Sequence, residues 1–114
     1  MGNNGLQLGA RIFEALRGVE GLSRAYAITA MGELTLPYAV YRKVNHAPLY
    51  SKSGNIGGIV TYEVDVVDKT YPLVLDVACR VNGNMLGRLK GSKEYFNDDD
   101  TYGITLTYEL NYNE

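Results

Sequence analysis

Glu63 and Asp65 come nearest to a catalytic arrangement in this sequence. They lie two apart in a run that alternates apolar and polar residues. Both carboxyls therefore leave one strand face about 7 Å apart, near the separation used by inverting glycosidases. Acids at this spacing are also routine on the solvated face of a one-sided sheet, and the residues favour that reading. Asp98, Asp99 and Asp100 could offer oxygen ligands to a hard cation. Asp98, Asp100, Gly103 and Glu109 fall in register with an EF-hand loop, but Tyr102 occupies a ligand position. The residues after Tyr102 demand an extended strand, so a solvated turn is expected.

The remaining chemistry is sparse. His46 is the single histidine, which leaves no two-histidine metal site and no histidine-based triad. Cys79 stands alone and is expected as a small packed side chain on a helix. Gly54-Asn55-Ile56-Gly57-Gly58 lacks both glycine fingerprints for phosphate, and no helix follows it. Tyr38, Tyr41, Arg42 and Lys43 set aromatics beside bases, as single-strand nucleic-acid binders do; with a net charge of −2, a strand edge is the better reading. No catalytic, cofactor or metal constellation is expected, and the chain is read as a non-enzyme.

The elements that carry these residues are organised around Tyr102 to Asn113. Tyr102, Ile104, Leu106, Tyr108, Leu110 and Tyr112 share one parity, and Gly103, Thr105, Thr107, Glu109, Asn111 and Asn113 the other. That is a strand with one buried face and one wet face. At roughly 3.3 Å per residue it spans about 40 Å, long enough to suggest pairing beyond a compact body. A chain of 114 residues is expected to form one domain with a sizeable core. Its 46% hydrophobic and 21% charged content is that of a globular protein. One cysteine permits no intrachain disulfide and suits a reducing compartment. Met1 to Gly5 shows no secretory pattern, and no apolar run is long enough to span a membrane. Ten tyrosines against two phenylalanines and no tryptophan fit strand formation first and an interface second.

In chain order, Leu6 to Arg17 predicts an amphipathic helix stopped by Gly18. Ala25 to Ala30 predicts a short strand, and Met31 to Thr35 a turn. A strand is expected over Leu36 to Asn45, with Pro37 at its start or on an edge. Tyr38, Val40 and Val44 share a parity there, and Arg42 lies between them, at the rim or paired. His46 to Gly58 predicts a long glycine-rich loop of the functional or mobile kind. It joins that strand to Ile59–Asp68, whose Val60, Tyr62, Val64 and Val66 form one face. Thr70 caps a second helix over Tyr71 to Leu89, with Pro72 in its first turn and Gly91 as its stop. That helix is expected to be weak or bent at Asn82-Gly83-Asn84. Ser92 to Asn97 is a short strand, and Asp98 to Asp100 a turn.

This order resembles the tail completion family of long-tailed bacteriophages, also called tail terminator or tail-to-head joining proteins. The resemblance runs from about Leu6 to Tyr112. It is carried by Leu36-Pro37-Tyr38 with Val40-Tyr41, by Val64 to Tyr71 leading into the second helix, and by the Asp100 to Leu110 strand. Asn82-Gly83-Asn84 departs from the family's usual Ala- and Leu-rich helix. The resemblance implies an α+β protomer: a mostly antiparallel sheet of four to five strands with two helices on one face. It also implies a virion protein, assembled in the host cytoplasm, that forms a ring of itself, commonly six copies, at the head-proximal end of the tail. Its partners would be the tail tube protein and the head connector or neck protein, with no nucleic-acid readout and no membrane. Tyr50, Ser51, Lys52, Asn55, Ile56, Asp98, Asp99 and Asp100 are the candidate assembly contacts, by their polarity and their place at strand ends. The alternatives are another phage neck or minor tail subunit, and a monomeric small-ligand-binding domain with tyrosines lining a pocket between helices and sheet.

Overall fold

A computed structural model describes residues 8–27, 35–51 and 54–112. Seven elements follow in order: α1 (Leu8–Arg17), β1 (Arg24–Ala27), β2 (Tyr38–Ser51), β3 (Gly54–Asp68), α2 (Tyr71–Asn84), β4 (Arg88–Phe96) and β5 (Tyr102–Tyr112). The strands form one sheet in the order β1-β2-β3-β5-β4. Only β1 and β2 pair in parallel; the other pairs are antiparallel. The fold is α+β, with both helices on one face of the sheet.

The alternation in β5 sets that face. Ile104, Leu106 and Tyr108 lie opposite Val66, Val64 and Tyr62 of β3, and Val66 in turn lies opposite Ala39 of β2. All seven are buried. α1 closes one half of the face with Ile12 and Leu16, spaced one helical turn apart, and α2 closes the other with Val74, Val77, Ala78 and Val81. Each large aliphatic side chain fully buried in this way contributes roughly 1.5–3 kcal/mol.

Local signals explain the helix starts and stops. Thr70 Oγ1 accepts the Leu73 N–H at 3.4 Å, and Pro72 sits in the first turn. The Gly18 N–H donates to the carbonyls of Glu14 and Ala15 at 3.3 Å each, ending α1. The second helix is shorter than the sequence predicts. It stops at Asn84, with Met85 already extended, so Leu89 lies in β4 and is 41% exposed. Asn82 and Asn84 are poor helix formers, and their amides are used across elements. Asn82 Oδ1 accepts the Tyr108 hydroxyl at 2.8 Å, and Asn84 Nδ2 donates to the Ala15 carbonyl at 2.7 Å. The second of these ties the end of α2 to the last turn of α1.

Two further expectations are corrected. The predicted loop His46–Gly58 is strand on both sides: His46 pairs with Val60, Pro48 with Gly58, and Ser51 with Gly54. The strand predicted over Ser92 to Asn97 begins earlier, at Arg88. Of the strand predicted over Ala25 to Ala30, β1 is the described part, and most of the turn predicted at Met31 to Thr35 lies outside the described residues.

Candidate functional site

The β2–β3 hairpin runs on past the helical body as an arm. Tyr62 and Tyr108 are the last fully buried large side chains of the main core on β3 and β5, and Leu110 packs against both this core and the cluster beyond it. Beyond them Val60 and Tyr112, with Leu110 against them, form a second cluster that contains no helix residue. β3 has fifteen residues, about 50 Å of strand, and the molecule measures 52 × 24 × 23 Å. The arm therefore accounts for the elongation.

Three devices make the arm a sheet rather than a loop. β5 stays paired with β3 as far as Tyr112 opposite Gly58, so the surplus length of β5 is taken up within the chain. Tyr112 packs on Gly58, where an added Cβ would lie 2.8 Å from the Tyr112 hydroxyl and 2.7 Å from the Ala47 carbonyl. On the same side, His46 bonds to the Tyr112 hydroxyl, the two rings 5.4 Å apart and steeply inclined. The register of β2 slips by one residue at Val44, between Lys43 and Asn45, the signature of a bulge that re-aims the strand. Val44, which shares a parity with Tyr38 and Val40 in the sequence, is 55% exposed.

Of the predicted contacts, Tyr50 stands 68% exposed near the tip of the arm, next to Leu49 at 51%. Ser51, Asn55 and Ile56 belong to the strands that lead into and out of the tip, and Lys52 lies outside the described residues. The acidic turn is elsewhere. Asp98 to Asp100 join β4 to β5 beside the Tyr38–Val67 end of the sheet, at the far end of the long axis. The structure thus separates the two groups of predicted residues by the length of the molecule.

The acidic turn is internally bonded. Asp99 Oδ1 accepts the Thr101 hydroxyl at 2.6 Å, Asn97 Nδ2 donates to Thr101 Oγ1 at 3.0 Å, and the Asn97 N–H donates to the Thr101 carbonyl at 2.8 Å. Asp100 takes the left-handed conformation, φ 65°, which aspartate tolerates better than most residues. Glu109 bonds to Arg88 at 3.3 Å rather than turning toward the aspartates. Among the described residues no three His, Cys, Asp or Glu side chains are grouped to hold a metal ion.

Next to this turn lies a feature that the sequence reading missed. On the sheet face away from the helices, Tyr38, Val67, Gly103 and Tyr95 form one cross-strand row. Tyr95 leans over Gly103, where an added Cβ would come within 2.2 Å of its ring. Tyr38 and Tyr95 then border a groove of about 380 Å³ that also draws on Val40, Val67, Asn97, Asp98 and Asp99. Burial raises the Tyr95 hydroxyl to about 12. Tyr38 is raised by burial and then by the Asp99 carboxylate. The signal was legible in principle: Gly103 opposite a tyrosine marks a place where the ring covers bare backbone.

The other candidates take their places around these two ends. Glu63 and Asp65 both bond to Arg42, at 3.3 and 2.5 Å, and Asp65 also accepts the Thr105 hydroxyl at 2.6 Å. Arg42 is thus paired. Tyr41 is on the opposite face from Tyr38 and Arg42, its ring 6.4 Å from Phe13 of α1. Cys79 is exposed rather than packed; it lines a shallow apolar groove between α2 and β4 with Leu75, Ala78 and Leu89. Tyr62 and Tyr108 fill the space between helices and sheet.

No family model and no curated protein matches the sequence. Among solved structures, the fold is similar to a chain from a structure described as the virion of a native gene transfer agent particle. The TM-score is 0.71 over 94% of this chain and 95% of that one, at 18% identity. A likeness at that identity is one of fold.

Proposed function

We propose that this chain is a structural protein of a long-tailed, phage-like virion. It forms a ring at the head-proximal end of the tail tube, where it ends tail polymerisation and joins the tail to the head connector. The observation that carries the reading is the arm: a paired hairpin presenting Leu49 and Tyr50 away from the body that folds it. A self-contained protomer has no use for exposed apolar groups on a projecting strand pair, whereas a ring subunit needs surface that reaches a neighbour. The end-to-end fold likeness to a virion chain supports the same assignment, as does the resemblance to the tail completion family. The chain has no catalytic part in this reading.

A monomeric ligand-binding domain is the weaker alternative, because the tyrosines that would line its pocket are packed against each other. Another neck or minor tail subunit shares the arm and the fold, and differs in position. Imaging of purified particles carrying a tagged chain separates these readings. The proposal expects a single ring between tube and connector; density along the tube, or none in the particle, overturns it.

A further inference from the structure

The groove between Tyr38 and Tyr95 combines three kinds of group. Val40 and Val67 give it an apolar floor, the two tyrosines border it, and Asp65, Asp98 and Asp99 bring three carboxylates to it. Among the described residues that line it there is no base; Lys93, two residues before Tyr95 on the same strand face, lies outside the lining. The carboxylates are not equivalent. Asp65 is neutralised by Arg42 at 2.5 Å. Asp99 accepts the hydroxyl and the N–H of Thr101, neutral donors that leave its charge in place. Asp98 is exposed and has no hydrogen bond or ion pair among the described residues. The negative field reaches both phenols: after burial, Asp99 does most to raise Tyr38, and Asp65 does most to raise Tyr95.

We infer that this groove binds an arginine side chain presented by a partner protein, its guanidinium against the tyrosine rings and the carboxylates of Asp98 and Asp99, its aliphatic stem on Val40 and Val67. This deepens the virion reading, and rests on it for the source of the arginine. An apolar floor alone would accept a leucine, and carboxylates alone any solvated cation. A ligand that uses both is a cation on an apolar stem. The tyrosines narrow the choice, since an aromatic face attracts a cation. Guanidinium is planar, sheds water more readily than ammonium, and meets a carboxylate with two parallel N–H donors. A metal ion lacks its ligands here, because no three suitable side chains are grouped among the described residues. The volume of about 380 Å³ lies at the low end for small-molecule sites, which suits one long side chain better than a cofactor.

The test titrates the isotope-labelled full chain with three short peptides that differ only in a central arginine, lysine or citrulline, the last a neutral isostere of arginine. Saturable amide shifts are expected at 38–40, 65–67, 95–99 and 103. The arginine peptide should bind several-fold tighter than the lysine peptide and roughly tenfold tighter than the citrulline peptide. Asp98→Asn, on an exposed turn, should weaken the arginine peptide several-fold and leave the citrulline peptide unchanged. Tyr95→Leu should weaken it as well, while Tyr95→Phe, which keeps the ring, should not. Equal binding of the citrulline peptide makes the groove a plain apolar contact and overturns the inference. Equal binding of the lysine peptide overturns the guanidinium assignment. Shifts scattered over other acidic residues, or no saturation, also overturn it. Each of these failures leaves the ring standing. Conversely, a chain that binds the arginine peptide but is missing from tagged particles keeps the site and loses the virion reading.

Discussion

Tyr62 and Tyr108 face each other across β3 and β5, their rings stacked at 5.2 Å and inclined by 20°, and both are fully buried. Each also carries a hydroxyl that ends on α2 or just beyond it. Tyr108 donates to Asn82 Oδ1 at 2.8 Å, and Tyr62 donates to the Leu86 carbonyl. The pair joins sheet to helix at the point where the body stops and the arm starts. Replacing either tyrosine with alanine is expected to cost about 3–5 kcal/mol. Replacement with phenylalanine should cost only about 0.5–1.5 kcal/mol. A double-mutant cycle by urea denaturation should show coupling of about 0.5–1.5 kcal/mol between the rings; strict additivity would contradict the stacked geometry.

The same burial predicts alkaline sensitivity. Burial raises Tyr62, Tyr95 and Tyr108 above the ordinary phenol value of 10.0. A group whose folded pKa is raised gives stability that is fully present below the unfolded pKa and lost as pH climbs toward the folded one. The urea midpoint should therefore hold steady up to about pH 9 and fall from about pH 10 upward, as the unfolded chain ionises first. A midpoint that stays flat through that range would mean these hydroxyls ionise freely in the folded protein. Phenolate absorbance in the near ultraviolet, followed along the same titration, checks it directly.

Arg42 gives a graded prediction. It bonds Asp65 at 2.5 Å and Glu63 at 3.3 Å, and the Asp65 side chain is 17% exposed against 32% for Glu63. Removing the more buried partner should cost more, so Asp65→Asn is expected to lower stability further than Glu63→Gln. Arg42→Met should cost on the order of 1 kcal/mol, since the guanidinium is partly solvated. Comparing the three denaturation midpoints decides it; a larger loss for Glu63→Gln would mean that the network is ordered differently.

How far the sequence could be read depended on whether a signal was local. β5 is the clear case: its two parities gave the strand and its buried face, while its pairing with β3 came from the structure. The Thr70 cap and Pro72 likewise placed the start of α2. The arm was not legible, because Pro48, Gly54, Gly57 and Gly58 describe a loop to any local measure. What holds the strands there is remote, namely Tyr112 over Gly58 and the reach of β5. The slip at Val44 defeated parity for the same reason. Asn82 and Asn84 were correctly seen as a weakness in the helix, but their cross-element bonds to Tyr108 and Ala15, which favour a full stop over a bend, are tertiary. The candidate contacts fall near the two ends of the molecule, and the groove beside the acidic turn was not among them. That groove exists only when Tyr38 and Tyr95, far apart in the chain, are brought into one row.

Two glycines are expected to behave differently on substitution by alanine. At Gly58 the new methyl group meets the Ala47 carbonyl at 2.7 Å and the Pro48 Cα at 2.9 Å, backbone that cannot swing aside, so the arm should lose pairing. At Gly103 its nearest neighbours are side-chain atoms of Tyr95, a ring that can rotate away and reshape the groove. Hydrogen exchange should therefore quicken along 46–60 in Gly58→Ala and change little there in Gly103→Ala. Faster exchange confined to β4 in both variants would contradict this division.

The most direct test of the account compares native masses of the full chain and a chain lacking Ser51 to Asn55, alone and with purified tail tubes. The intact chain is expected at a ring multiple of 12.6 kDa, free or on the tube. The shortened chain should stay at its single-protomer mass with unchanged circular dichroism. Equal assembly by both would show that the projecting hairpin is not what joins one subunit to the next.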